Sequence, residues 1–434
     1  MNRATEPAAD AANREGSLSV LALLALVAGA ISGLVGAIFR RSLAHADQLR
    51  DVLIQWAHGE RTLGFLFFLI ACASATALAA WLVRRYSPYA SGSGIPHVEA
   101  VLHGELPPAP YRLIPVKFFG GLLAIGSGLA LGREGPSVQM GASLSHLVGT
   151  LCRRSWPDCR VLVAAGAGAG LATAFNAPIA GAVFVLEELV QRFEHRVAIA
   201  ALAASASAIA VARVLLGDAP DFQVSAIAHA DAGVRPLYFI FGAFAGLLAI
   251  FYNRVLLATM AAADRLSFVP PVLRAGLVGA AVGALGWFSP ELVGGGDTIT
   301  QSVLAGGAMA AMVPAAFLIR FGIGAVSYAA GTPGGLFAPL LVLGAQFGFL
   351  AGEVSRALLP DLGVQPEGFA VVGMAALFTG IVRAPLTGIV LVTEMTASVT
   401  MLLPMLSACC VAMLVPTLLG DPPIYDSLRK RMSR

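Results

Sequence analysis

Long apolar stretches without a single charged side chain recur along the whole chain. Asp, Glu, Lys and Arg are absent from residues 16–39, 62–83, 161–186, 298–319, 321–352 and 395–420. A helix needs about 20 residues to cross the hydrocarbon core of a bilayer. Because these stretches are continuous and do not alternate with polar residues, they predict membrane-spanning helices and exclude a β-barrel. The polar stretch from Arg40 to Arg61 predicts a connecting surface helix.

Composition supports the same class of protein. Of the 434 residues, 57% are hydrophobic and 12% are charged, against about 25% charged residues in soluble proteins. The apolar excess must therefore face lipid. A net charge of +3, without a basic cluster interleaved with aromatics, argues against a nucleic-acid partner. The five cysteines show no CxxC spacing, so we expect neither a metal site nor a cofactor.

The distribution of polar residues divides the chain into three parts. We expect a polar N-terminal segment at 1–17, a transmembrane transport domain at 18–428 with halves 18–215 and 236–428, and a short basic tail at 429–434. Basic residues near both ends predict cytoplasmic termini by the positive-inside rule, and hence an even number of membrane crossings.

Glycine-rich turns that run into proline interrupt the apolar stretches at five places. These junctions are Gly92-Ser93-Gly94-Ile95-Pro96, Gly132-Arg133-Glu134-Gly135-Pro136, Asn176-Ala177-Pro178, Gly334-Gly335-Leu336-Phe337-Ala338-Pro339 and Arg383-Ala384-Pro385. Proline is favoured in the first turn of a helix and breaks a helix interior, so each junction predicts a helix N-terminus within the membrane. Non-helical backbone at that depth is tolerated where it is buried or lines a cavity, which indicates a transporter or channel.

The two halves of the chain also match each other. Pro136 and Pro339 are each followed five residues later by Gly-Ala, and the segments from Pro178 to Glu187 and from Pro385 to Glu394 share an internal glycine. The first prolines are 203 residues apart and the second 207. This conserved order predicts an inverted repeat with a binding site at the interface of its halves.

The predicted site suits a small anion. Helix N-termini present unpaired N–H groups and a partial positive charge. The segments 92–96 and 335–339 contain no charged residue and offer the Ser93 hydroxyl and the amides of Leu336 and Phe337. Conduction requires weak binding, which neutral donors supply. Chloride is the expected substrate.

These motifs, together with Tyr425 near the C-terminus, resemble the filter of the CLC family of chloride channels and chloride/proton exchangers. The resemblance runs in order from about residue 20 to residue 428. It implies an all-α polytopic fold with an inverted repeat of broken, tilted helices, and a homodimer with one pore per subunit. The chain ends soon after Tyr425 without room for C-terminal regulatory domains, so we expect a prokaryotic inner membrane protein.

The resemblance also implies roles for single residues. Ser93 and Tyr425 would bind the anion through their hydroxyls, and Leu336 and Phe337 through their amides. Glu134 would be the external gate and proton acceptor. The alternative for Glu134 is a helix-terminal charge that pairs with Arg133 or with the helix dipole.

Glu188 falls on the internal proton-transfer position of the exchanging members of that family. Its alternative is a solvated helix end near Arg192 and Arg196. Glu187 matches Glu394 in the repeat and is expected to be structural. For Arg320, Arg383 and Glu394 we favour buried pairing, and the sequence leaves Lys117 open between raising the pore potential and capping a helix.

Together these features predict a proton-coupled chloride antiporter whose transported partners are chloride and protons within membrane lipid. The alternative on the same fold is an uncoupled voltage- or pH-gated chloride channel. A membrane-embedded enzyme is disfavoured, because the sequence contains no HExxH, no GxSxG and no His/Asp cluster.

Overall fold

The computed structural model describes residues 16–224, 233–266 and 268–432, and this part of the chain forms 17 α-helices and no β-sheet. In chain order the helices are α1 (Leu18–Gly59), α2 (Arg61–Tyr86), α3 (Ile95–Leu102), α4 (Leu113–Gly126), α5 (Glu134–Leu151), α6 (Trp156–Phe175), α7 (Pro178–Phe184), α8 (His195–Leu216), α9 (Arg235–Arg265), α10 (Pro271–Phe288), α11 (Asp297–Leu304), α12 (Val313–Ala329), α13 (Phe337–Leu358), α14 (Pro366–Val382), α15 (Pro385–Thr396), α16 (Leu402–Leu418) and α17 (Ile424–Met432). Seven of them are long and apolar enough to cross a membrane: α1, α2, α6, α8, α9, α10 and α13. The chain is a multi-pass membrane protein.

The five proline junctions begin helices, as predicted. They start α3, α5, α7, α13 and α15. Four charge-free stretches do not form single helices, because 161–186, 298–319, 321–352 and 395–420 each contain a helix end and the start of the next helix. The absence of charged residues indicates burial or lipid contact. Where a helix ends depends instead on local proline and glycine residues.

Helix α1 differs from the expectation in length. It continues through the polar stretch that follows Arg40 as one helix of 42 residues, so the predicted separate surface helix is wrong. At 1.5 Å per residue it is about 60 Å long, roughly twice the hydrocarbon thickness. Its second half therefore extends beyond the core and brings Asp47 and Arg50 to a cavity on one side of the molecule.

The inverted repeat is visible where α7 and α15 pack against each other. Glu187, just after α7, accepts hydrogen bonds from the backbone N–H groups of Leu386 (2.9 Å) and Thr387 (2.6 Å) at the start of α15. Glu394, near the end of α15, accepts them from Ile179 (3.1 Å) and Ala180 (2.8 Å) at the start of α7. Each helix thus carries the acid that caps the other, which requires an antiparallel arrangement.

The repeat extends to a pair of segments that the sequence comparison did not match. A 3-10 turn at Pro88–Ala90 and a glycine loop precede α3, and a 3-10 turn at Pro290–Leu292 and a glycine loop precede α11. Both helices have eight residues and begin after a left-handed glycine, Gly94 (φ 83°) or Gly296 (φ 89°). Glycine suits these positions because side chains disfavour positive φ.

The reciprocal caps give a prediction about stability. Replacing Glu187 with Ala leaves two N–H groups and the Thr387 hydroxyl of α15 without their acceptor, at an expected cost of about 2 kcal/mol or more. Glu394→Ala should cost somewhat less, because it removes two bonds. Thermal unfolding in detergent measures both. Glu60→Ala is the control, since Glu60 is exposed and its side chain has no hydrogen bond or ion pair in the described part; equal stability of all variants would contradict the capping role.

Candidate functional site

Loops from the two halves of the repeat are joined at the centre of the molecule. The Gly92 N–H donates to Thr332 O (3.0 Å), and the Gly334 N–H donates to Gly92 O (3.1 Å). Gly132 and Gly335 exchange a second pair of bonds at 2.9 and 2.7 Å. These two bridges hold the N-termini of α3, α5 and α13 together.

The Glu134 side chain lies at this meeting point. It is fully buried, and its Oε1 accepts the backbone N–H of Phe337 at 2.7 Å. A Cβ atom added at either Gly132 or Gly335 would overlap with the carboxylate oxygens. Because these two residues are glycines, there is space for the Glu134 carboxylate at the N-terminus of α13. This is where a small anion would meet the same N–H groups.

Two hydroxyl groups lie in the same buried region. Ser93 Oγ and the Tyr425 hydroxyl are both fully buried and have no hydrogen-bond partner of standard geometry among the described residues. The Tyr425 hydroxyl is near enough to the Ser93 side chain for a hydrogen bond outside standard geometry and to Glu134 for an electrostatic interaction, and its ring lies 6.0 Å from that of Phe337. Buried hydroxyls are normally paired, so these two donors suit an anionic ligand. Leu336 is buried directly before α13.

Lys117 and Arg320 hold the loops at corresponding places in the two halves. The Lys117 Nζ is buried and donates to Ala90 O (3.1 Å) and Gly92 O (2.7 Å). Arg320 donates to the carbonyls of Leu292 (3.1 Å), Gly294 (2.7 Å) and Gly295 (3.0 Å). Because C=O and N–H point in opposite directions in a trans peptide, the following amides face away from each cation. Lys117 thus orients the loop that presents Ser93, whereas the sequence offered a raised pore potential or a helix cap for this residue.

Arg383 and Glu394 are paired as well, also with backbone groups. Arg383 donates to Asp421 O at 3.0 Å, and Glu394 caps α7. Both side chains are partly buried, and peptide groups supply the partners that such charges need.

A cavity of about 450 Å³, here called the outer cavity, opens beside Gly132 and Arg133. Arg133 pairs with Asp221 (3.3 Å) and Asp297 (3.1 Å), and Asp221 also pairs with Arg40 at 2.5 Å. The Asp221 side chain is only 3% exposed. This carboxylate therefore neutralises the cation that directly precedes Glu134. Sequence reasoning missed it, because Asp221 lies in a polar linker with no motif.

Replacing Asp221 with Asn tests this charge balance. Arg40 and Arg133 would then add positive potential beside the outer cavity, so we expect the apparent affinity for chloride to rise by about 3- to 10-fold. The chloride dependence of flux into liposomes, at constant ionic strength with gluconate, measures it. Asp297→Asn should have a smaller effect because that side chain is 51% exposed. Unchanged or weaker chloride affinity in Asp221→Asn would overturn the interpretation.

Glu188 lies on the other side of the central region, in a π-helical turn at Val185–Leu189, and is buried. It is close enough to the buried Glu99 of α3 for the two carboxyl groups to interact, and Asp426 is a further acidic neighbour. Arg429 is shared among these acids, at 3.9 Å from Glu99 and 3.1 Å from Asp426. Adjacent carboxyl groups can hold a proton between them. Sequence reasoning missed Glu99, although an acid inside the short apolar helix α3 is a signal that could have identified it.

The alternative of a solvated end for Glu188 does not fit this position, since Arg192 pairs with Glu194 and Arg196 with Asp158. The Tyr425 hydroxyl interacts electrostatically with Glu188 as well as with Glu134. A second cavity of about 460 Å³, here called the inner cavity, is lined by Gly92, Gly94 and Tyr328, beside Ser93. α10 begins at the inner cavity and leads to the outer one.

The site is buried at helix N-termini and lies between two cavities of a multi-pass helical protein. This arrangement is typical of a membrane transport protein. The sequence model of the voltage gated chloride channel family matches residues 75–417. The chain belongs to this family, which confirms the resemblance of its motifs.

Bacterial exchangers are among the proteins that this chain resembles. The H(+)/Cl(-) exchange transporter ClcA of Vibrio cholerae serotype O1 is 35% identical over 418 residues, covering 94% of this chain and 88% of the relative. The crystal structure of a slow cyanobacterial Cl−/H+ antiporter is similar with a TM-score of 0.91 and 32% identity, covering 97% of this chain and 99% of that one. A CLC-type fluoride/proton antiporter shares the fold with a TM-score of 0.81 at 23% identity, over 95% of this chain and 98% of the other.

Proposed function

We propose that this protein is a proton-coupled chloride antiporter. The observation that carries the proposal is the fully buried Glu134 carboxylate, which accepts the Phe337 N–H at 2.7 Å. A titratable group thereby occupies a position that is built for an anion. Relatives named as chloride/proton exchangers support the same reading.

Competition for one set of donors explains the coupling. While Glu134 is ionised, its carboxylate binds the Phe337 N–H and the positive end of α13. Protonation removes the charge and weakens that bond, so the side chain leaves and chloride takes its place. Return of the carboxylate displaces the anion after the proton has been released.

The central anion site uses neutral donors. Ser93 and Tyr425 offer hydroxyls, and Leu336 and Phe337 lie at the start of α13 to offer amides. The nearby cations are otherwise engaged, because Lys117 and Arg320 bind carbonyls and Arg133 binds Ala174 O at 2.9 Å as well as two carboxylates. Weak binding by neutral donors suits the rapid release of chloride.

Protons take a route that diverges from the anion route on the side of the inner cavity. Glu188, with Glu99 beside it, receives the proton, and the Tyr425 hydroxyl interacts electrostatically with both Glu188 and Glu134. Proton and chloride thus share the central region and separate below it. No cofactor and no covalent step is required, so the protein acts as a transporter and not as an enzyme.

We infer the orientation from the charges near the inner cavity. Arg84, Arg274 and Arg431 line it, and the positive-inside rule places this side in the cytoplasm. The protein then sits in the bacterial inner membrane as a homodimer with one pore per subunit. The predicted basic tail begins inside α17, while residues 1–15, 433 and 434 lie outside the described part.

Electrical measurement separates exchange from an uncoupled channel. With equal chloride on both sides of a bilayer and a pH gradient across it, an exchanger reverses at a non-zero voltage because protons contribute to the driving force. A chloride channel reverses at zero. Reversal at zero in the presence of a measurable chloride current would reject the proposal.

A further inference from the structure

The lining of the inner cavity carries an excess of positive charge. Its lining includes three arginines, Arg84, Arg274 and Arg431, but a single carboxylate, Asp264. Asp264 forms an ion pair with Arg431. Two guanidinium groups therefore remain to be balanced at the cavity.

Arg274 stands out among the arginines near the transport path. Its Nε and Nη1 atoms are buried without a hydrogen-bond acceptor, and its side chain forms no ion pair in the part of the chain that the structure describes. By contrast, Arg320 and Arg133 direct their guanidinium groups at carbonyl or carboxylate oxygens. Buried donors of a charged group are costly to leave unpaired. The planar fork of a guanidinium matches the oxygens of a phosphate group.

The size of the cavity also points to a polyatomic ligand. Its volume of about 460 Å³ lies within the range of about 300–1,000 Å³ that is typical of small-molecule sites. It is far larger than a halide ion requires. A separate apolar groove between α2 and α10 includes Pro270 and Leu273 in its lining and runs to Ala280. The groove starts at the same end of α10 as Arg274.

We propose that the inner cavity binds a phosphate group through Arg274 and Arg84. Because Gly92, Gly94 and Tyr328 also line the cavity, and the Tyr328 hydroxyl accepts the Ser93 N–H at 3.3 Å, the bound group stands at the inner mouth of the chloride path. Its negative charge repels chloride there and slows transport. The inhibition rests on the proposed function, whereas the binding does not.

The phosphate group has two possible sources, a phospholipid headgroup or free phosphate. The apolar groove beside Arg274 would accept an acyl chain and favours the lipid. Binding is measured on purified protein in neutral detergent by calorimetry, with inorganic phosphate and with a short-chain phosphatidylglycerol as separate probes. Flux is measured in phosphatidylcholine vesicles, with and without one quarter phosphatidylglycerol, and with inorganic phosphate at constant ionic strength.

Arg274→Gln should weaken binding of the effective probe by at least about 10-fold and remove its inhibition of chloride flux, relative to the flux of the same variant without the probe. Arg84→Gln, a change at an exposed residue, should weaken binding in the same direction. Arg85→Gln is the matched control, because Arg85 is exposed, lies over the Tyr86 ring and does not line the cavity. It should retain both wild-type binding and wild-type flux.

An effect of phosphatidylglycerol alone identifies the lipid source, and an effect of inorganic phosphate in pure phosphatidylcholine identifies the free source. The proposal is overturned if neither probe binds, or if Arg274→Gln binds as tightly as the wild type. If the wild-type protein binds a probe but moves no chloride, the phosphate site stands and the proposed transport function fails.

Discussion

Replacing Glu134 with Gln should abolish proton transport while chloride continues to move. Glutamine has nearly the same shape but cannot ionise, so it cannot exchange a proton or form the charge-assisted bond to the Phe337 N–H. We expect the proton flux to fall by at least about 100-fold, the scale on which positioned acid–base groups act. Parallel chloride-electrode and pH-electrode recordings from liposomes measure both fluxes.

Glu134→Ala extends the test, because alanine vacates the position at α13. Its chloride flux should persist and lose its dependence on pH. Glu291→Gln is the control, since Glu291 is exposed and lines the outer cavity without contacting the central site. Continued proton coupling in either Glu134 variant would show that another group is the gate.

Glu188→Gln should also remove proton flux and leave chloride flux, but for a different reason. Glu188 does not lie at the N-terminus of α13, so its loss leaves the anion donors in place. In the proposed mechanism, it removes the carboxyl group through which protons reach the central region from the Glu99 side. We again expect a fall of at least about 100-fold in proton flux, measured in the same recordings.

The adjacent Glu187 is a matched control with the opposite expectation. Glu187→Gln weakens the cap on α15 and should lower thermal stability while the protein that remains folded keeps its coupling. If Glu187→Gln lost proton flux and Glu188→Gln retained it, the two glutamates would have been assigned to the wrong roles.

The features that the sequence predicted correctly are those with local causes. Proline restricts the first turn of a helix, so the starts of α3, α5, α7, α13 and α15 could be located without a structure. The match of Glu187 with Glu394 likewise indicated a shared structural role, and the structure shows reciprocal caps.

The features that could not be predicted depend on distant parts of the chain. Nothing local distinguishes Asp221 from other linker acids, because its partners Arg40 and Arg133 come from remote segments. Lys117 bonds to carbonyl oxygens, and every residue carries a carbonyl, so no pattern of side chains identifies its partner. The expectation that Tyr425 and Ser93 lie at the same site came from the family resemblance, because their positions in the sequence give no indication that they meet.

Charge-free stretches were informative about the membrane and misleading about continuity. They located the apolar regions, but four of them contain the end of one helix and the start of the next. The break before α13 lies at the central site, where the Phe337 N–H binds Glu134.

Proton movement driven by chloride in wild-type liposomes tests the central claim most directly. Vesicles loaded with high chloride are diluted into low chloride at equal pH, with voltage clamped near zero by potassium and valinomycin. The account predicts that chloride leaving the vesicles drives protons inward against the gradient that develops, so the lumen becomes acidic and a protonophore reverses the change. Chloride efflux without any change of internal pH would contradict it.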